Sequence, residues 1–266
     1  MSGQSFVSGL RHQMNIFLAA LMFLTRVPIG KQYVFRADDL PRSTLYFPIV
    51  GLLIGLGGGL VLFCAELIVP PVLAVLLCMG ATVAVTGALH EDGLADTADG
   101  LIGGLEPQRR LEIMKDSRLG SYGAVALWFS LTAKLFLLTA LLEKGVFTAV
   151  CALIVAHGLG RAATVSLLFS HRYVRNDESK ASPFGNAVTL TELLTALVAP
   201  ILLSFALLGS KAVLPLLVAA AVTWAAGVYF RKKIGGITGD CLGAVNQLVE
   251  VGCYLALVVR LPSAPA

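Results

Sequence analysis

Long apolar runs broken by short polar punctuation organise this chain. The runs lie near residues 45–67, 72–89, 122–142, 146–169, 190–208, 212–230 and 242–259. Each approaches or exceeds the ~20 apolar residues that carry a helix across a bilayer. None shows the strict alternation of a half-buried strand. The pattern predicts an all-α, polytopic membrane helix bundle with about seven spanning helices in one integral membrane domain, residues 1–266. An earlier apolar stretch, 14–24, is only about half a span and lies between Arg11 and Arg26. It predicts a short interfacial or re-entrant helix. Glycines crowd residues 51–59, where they permit close approach between helices and leave self-association into a homo-oligomer open.

Composition agrees. Hydrophobic residues make up 57% of the chain and charged residues 14%, whereas a soluble domain carries roughly a quarter charged residues. The net charge of +4 is arranged by topology, which removes it as an argument for nucleic acid. Arg11, Arg26, Lys31, Arg36 and Arg42 precede the first full span. Arg109, Arg110, Lys115 and Arg118, then Arg172, Arg175 and Lys180, then Arg231, Lys232 and Lys233 fall on alternate connections. The other side holds only Lys144, Lys211 and Arg260. The positive-inside rule makes the rich side cytoplasmic, as in a multi-pass protein of the inner membrane. No cleavable signal peptide is evident. Five cysteines form no CxxC pair and suit small buried positions.

Polar residues out of pattern carry the chemistry. The run His90-Glu91-Asp92-Gly93-Leu94-Ala95-Asp96-Thr97-Ala98-Asp99-Gly100 follows the second apolar segment. On a helix, Asp92, Asp96 and Asp99 fall within roughly 60° of one another. Like charges so placed repel, and an all-oxygen cluster suits a hard cation such as Mg²⁺. A second motif, Gly235-Gly236-Ile237-Thr238-Gly239-Asp240, opens the last span. Its glycines allow backbone near a ligand at Gly236 and Thr238, and the free N–H groups of a helix start attract phosphate. Asp240 would complete the metal site; the plain alternative is a helix cap after a glycine turn. Lys115 and Arg118, in the connection between the motifs, are candidate phosphate clamps or simple topology charges. Lys134, His157, Arg161 and Glu250 are ionisable residues inside spans. His157 and Arg161 share a helix face, Arg161 is a candidate phosphate ligand, and Glu250 is its expected ion-pair partner. Lys134 is expected to snorkel outward.

Acids, glycine turns and basic residues on one membrane face suit Mg²⁺-assisted attack on a phosphoanhydride. Joining an alcohol to a nucleotide-activated phosphate needs this inventory, and so do diphosphate-lyase and prenyl-transfer chemistry. Five blocks carry a more specific resemblance: residues 23–28, 47–51, 90–100, 110–123 and 235–244, from Phe23-Leu24-Thr25-Arg26-Val27-Pro28 to the second glycine motif. Together they resemble the cobalamin synthase family, the adenosylcobinamide-GDP ribazoletransferases, in the right order over almost the whole chain. The aspartate run departs from the family form mainly at Glu91. The resemblance implies a Mg²⁺-dependent reaction of adenosylcobinamide-GDP with α-ribazole, or its 5′-phosphate, releasing GMP. It implies a metal–diphosphate site at Asp92, Asp96, Asp99 and Asp240, with phosphate contacts from Lys115, Arg118 and Arg161. A phospholipid-forming CDP-alcohol phosphotransferase is a competing expectation, but Leu101-Ile102-Gly103-Gly104 follows Gly100 where that signature needs Ala-Arg. A divalent-cation transporter would spread its acids through the bilayer depth, whereas here only Glu250 lies deep.

Overall fold

The computed structural model describes residues 2–29, 39–174 and 188–259, with side chains from residue 8 onward. Eleven α-helices follow in chain order: α1 Ser2–Leu24, α2 Asp39–Arg42, α3 Phe47–Glu66, α4 Pro71–Thr86, α5 Leu89–Gly103 and α6 Pro107–Ile113. Then come α7 Ser121–Glu143, α8 Val146–Ser170, α9 Leu190–Leu208, α10 Val213–Ile234 and α11 Gly239–Val258. The one β pairing among the described residues is a parallel bridge between Tyr173 and Ile237. Of the charges used for topology, Lys31, Arg36, Arg175, Lys180 and Arg260 lie outside the described residues.

Helix α8 is the axis of the bundle. It is apolar nearly all round and buried along most of its length, as a helix surrounded by other helices must be. Helices α3, α7, α9, α10 and α11 pack on it. Helix α3 comes closest because Gly51, Gly55 and Gly59 repeat every four residues along one face. A Cβ on Gly55 would sit 2.6 Å from the Leu153 carbonyl oxygen, and one on Gly59 would sit 2.9 Å from Val150. The face of Gly51, Gly55 and Gly59 is therefore used within the chain.

Five helical stretches are long and apolar enough to cross a membrane, or six if the bent pair α4 and α5 is one span. The expectation of about seven differs because 190–208 and 212–230 belong to one stretch of 45 residues, Leu190–Ile234. At ~1.5 Å per residue that stretch is about twice the thickness of the hydrocarbon core. It is interrupted by a 3-10 turn at Gly209–Ala212, where Gly209 takes a positive φ of 57°. Helix α9 packs on α8 and α3, while α10 packs on α11 and α8. The segment 14–24 is also more than a short helix, being the second half of the 23-residue α1.

The largest correction concerns the second span. Helix α4 stops at Thr86, and the chain turns by 86° before α5 begins. Gly87 and Ala88 both adopt left-handed backbone, with φ of 64° and 57°. That conformation is cheap for glycine and strained for alanine. A Cβ on Gly87 would collide with the Arg26 side chain, whose backbone N–H donates to the Val85 carbonyl at 2.7 Å. The aspartate run therefore lies on a helix of its own, turned across the direction of α4 instead of continuing it.

Candidate active site

Helix α5 presents its three aspartates in different environments: Asp92 is exposed, Asp96 half-buried and Asp99 buried. It crosses the first turn of α11 almost backbone to backbone. A Cβ on Gly93 would lie 2.9 Å from the Asp240 carbonyl oxygen and 3.1 Å from the Gly243 Cα. Gly243 in turn faces the His90 carbonyl, 3.2 Å from where its Cβ would stand. Two glycines, far apart in sequence, thus set Asp240 against the turn of α5 that carries Asp92 and Asp96. Asp240 is half-buried and accepts from the Thr238 hydroxyl at 3.4 Å.

Asp99 does something else. Its two carboxylate oxygens accept the backbone N–H groups of Gly120 at 2.8 Å and Gly123 at 2.9 Å. A carboxylate there satisfies two donors at the start of α7 and meets the positive end of its dipole. The expected quartet of metal ligands is not a preformed cage: among the described residues, no three His, Cys, Asp or Glu side chains are grouped to hold a metal ion. The donor set is still all-oxygen and split between two touching helices, which fits a hard cation that would take its remaining ligands from a bound anion.

The second glycine motif folds as a tied turn. Gly235 ends α10 with a positive φ of 79°. Gly236 lies against the Arg172 carbonyl, with no room for a Cβ. The Ile237 N–H donates to that carbonyl at 2.9 Å, and the Val174 N–H donates to the Ile237 carbonyl at 2.9 Å. Thr238 caps α11 by accepting from the Cys241 N–H at 3.3 Å. The Gly239 N–H donates to the Tyr173 hydroxyl at 3.1 Å. Two N–H groups that the sequence offered to phosphate are therefore occupied by protein oxygens, and the cap reading holds for Thr238. Met114 is buried beneath the motif, 3.9 Å from the Thr238 hydroxyl and against Gly100.

The basic residues divide between surface and interior. Lys115 is exposed. Arg118, 87% exposed, is held by Asp116 through Nε at 3.0 Å and Nη2 at 2.5 Å. The hydrogen bonds and charge of Arg118 pull the Asp116 carboxyl down to about 2. Arg110 turns inward as a strut, donating to the Gly104 carbonyl at 2.9 Å and the Lys233 carbonyl at 2.8 Å. The 104–120 connection, the end of α10, the start of α11 and the start of α7 thus meet around α5 at one end of the bundle.

Beneath them lies a buried polar cluster. Glu250 pairs with Arg161 as expected, with Lys134 at 2.6 Å and with the His157 ring nitrogen at 3.0 Å. Lys134 does not snorkel, because Glu250 and the Gln247 carbonyl oxygen, also at 2.6 Å, draw it inward. The Gln247 amide then donates to Glu91 at 3.1 Å, and Arg161 reaches His90 at 3.4 Å. Arg161 is 1% exposed and already paired with Glu250. A cavity of about 20 Å³ at the α4–α5 bend is lined by these groups, roughly room for one water. Sequence reasoning missed Gln247, Tyr173, Met114 and the inward role of Arg110, since their partners lie far away along the chain.

A family model described as cobalamin-5-phosphate synthase matches residues 16–258. The chain belongs to the cobalamin-5-phosphate synthase family. The match takes in every element of the site, from α5 to α11. The adenosylcobinamide-GDP ribazoletransferase of Shewanella frigidimarina strain NCIMB 400 is 45% identical over 259 residues, covering 97% of this chain and 98% of the relative. The protein of the same name from Shewanella amazonensis is 41% identical over 255 residues, covering 95% and 98%. That from Shewanella baltica strain OS195 is 42% identical over 248 residues, covering 93% and 95%. No solved structure matches the chain.

Proposed function

We propose that this chain is an adenosylcobinamide-GDP ribazoletransferase, performing the final assembly step of the cobalamin nucleotide loop. The observation that carries the reading is the glycine-to-glycine crossing of α5 and α11, which sets Asp240 beside Asp92 and Asp96 in a chain of this family. A ribose hydroxyl of α-ribazole, or of its 5′-phosphate, attacks the phosphate joined to the cobinamide side chain. A new P–O bond forms, the anhydride bond breaks and GMP leaves. The hydroxyl proton passes to an aspartate carboxylate oxygen that the metal would leave free.

Asp92, Asp96 and Asp240 would hold Mg²⁺, with diphosphate oxygens completing its shell. When bound, the ion supplies charge neutralisation and orientation of the diphosphate. Asp99 acts by fixing α5 to the start of α7. Lys115 and Arg118 contact phosphate, Arg118 exchanging the two oxygens of Asp116 for those of substrate. Gly236 and Thr238 hold the turn that presents Asp240, and Arg161 anchors His90 from below. The Lys and Arg bias supports a site facing the cytoplasm. The deciding assay is GMP release from adenosylcobinamide-GDP by the purified protein. Release that requires α-ribazole or its 5′-phosphate supports the reading; release indifferent to either, or none, removes it.

A further inference from the structure

On its apolar side, away from the aspartates, α5 forms one wall of a groove of about 430 Å³. Leu94, Thr97 and Leu101 recur at helical spacing on this wall and, at ~100° per residue, lie opposite Asp92, Asp96 and Asp99. Ala225 and Tyr229 of α10 and Leu248 of α11 supply the other walls. The lining is almost wholly apolar, and Ile102, Tyr229 and Leu248 are exposed. In a bilayer such a groove faces acyl chains. Lys232 and Lys233 continue the groove-lining stripe of α10, three and four residues beyond Tyr229. The Lys233 ammonium lies 5.5 Å from the centroid of the Tyr229 ring, so this charge stands over the end of the groove. An apolar slot ending in ammonium groups and a tyrosine at a span terminus matches the two halves of one kind of molecule.

We propose that the groove holds one acyl chain of an anionic phospholipid, with the lipid phosphate on Lys232 and Lys233. The chain packs against the wall of α5 that backs the aspartates, so the lipid braces the site helix from behind. Occupancy depends on the membrane fold and not on the reaction catalysed, and binding can be followed without turnover.

The test uses the full-length protein in detergent, with dioleoylphosphatidylglycerol, dioleoylphosphatidylcholine or inorganic phosphate added. Unfolding midpoints and retained lipid, by native mass spectrometry, are read together. The glycerol lipid should raise the midpoint of the wild type and remain bound at one per chain, while the choline lipid and phosphate leave the midpoint unchanged. Lys232→Gln/Lys233→Gln should lose the shift through the headgroup. Ala225→Trp, at an exposed position, should lose it by filling the groove with both lysines intact. An equal shift from the choline lipid, an equal shift from phosphate alone, or a full shift retained by Ala225→Trp would each overturn the proposal.

Discussion

Asp99 and Asp96 look alike in sequence, yet their surroundings assign them different work. Asp99 is 7% exposed and accepts two backbone N–H groups from the start of α7. Asp99→Asn leaves one of those donors facing an amide NH₂, an unsatisfied pair worth about 1–3 kcal/mol. That variant should lose thermal stability and activity together. Asp96→Asn should abolish GMP release with the unfolding midpoint nearly unchanged; near-normal turnover would sink its place in the metal site. Asp116 provides a pH prediction. Its folded pKa of about 2 lies below the ordinary carboxylate value of about 3.9, so the pairing with Arg118 is complete above about pH 4 and is lost only as pH falls through about 2. The acid edge of a rate profile taken between about pH 5 and 9 should therefore coincide for wild type and Asp116→Asn. Of the residue-level contacts, the Arg161–Glu250 pair was legible, because charges in spans at matching depth need partners. The Gln247 and Tyr173 contacts were not, because neutral residues find partners only once helices are placed.

Two junctions between helices hold the candidate site together. At the α5–α11 crossing, Gly93→Ala puts a methyl 2.9 Å from a backbone oxygen that cannot step aside. Overpacking of this kind costs about 1–3 kcal/mol, and here it also parts Asp92 and Asp96 from Asp240. A lowered midpoint with a larger loss of GMP release is the expected result. Gly57→Ala, whose Cβ meets nothing within 4 Å, is the control and should be neutral or stabilising. At the second junction, α7, α8 and α11 meet through Glu250, the one carboxylate shared by Lys134, Arg161 and His157. Glu250→Gln strands two cations in the interior and should cost about 3–5 kcal/mol. Lys134→Met leaves Glu250 paired with Arg161 and should cost less, an order that denaturant or thermal unfolding in micelles can rank. Sequence periodicity marked α5 as a helix and its aspartates as one face. The 86° turn before it was hidden, since Ala88 gives no sign of its left-handed backbone.

Across the whole molecule, the polar connections gather at one end. Arg110 ties the connection after α5 to the end of α10, and the Tyr173–Ile237 bridge ties the end of α8 to the start of α11. A cytoplasmic site predicts opposite labelling of the two ends. In a background carrying Cys64→Ser, a membrane-impermeant thiol reagent should reach Ser117→Cys only in inverted vesicles and Glu143→Cys only in right-side-out ones. Labelling of Ser117→Cys from outside would reverse the orientation. The same scale explains the count of spans: the two apolar runs 190–208 and 212–230 join into one helical stretch, Leu190–Ile234, and the positive φ at Gly209 marks where it breaks.

Local chemistry was enough to determine the fold class and the polar end of the bundle, and to single out the candidate aspartates there. Apolar length, charge bias and acid spacing are properties of neighbouring residues, and they survive without any knowledge of packing. Tertiary structure decided which aspartates are brought near one another. Whether Asp240 meets Asp92 and Asp96, and whether Asp99 is spent on α7, depends on glycines that let distant backbones touch and on a bend stored in two residues. Those are pairings between segments far apart in the chain, and one-dimensional spacing does not encode them.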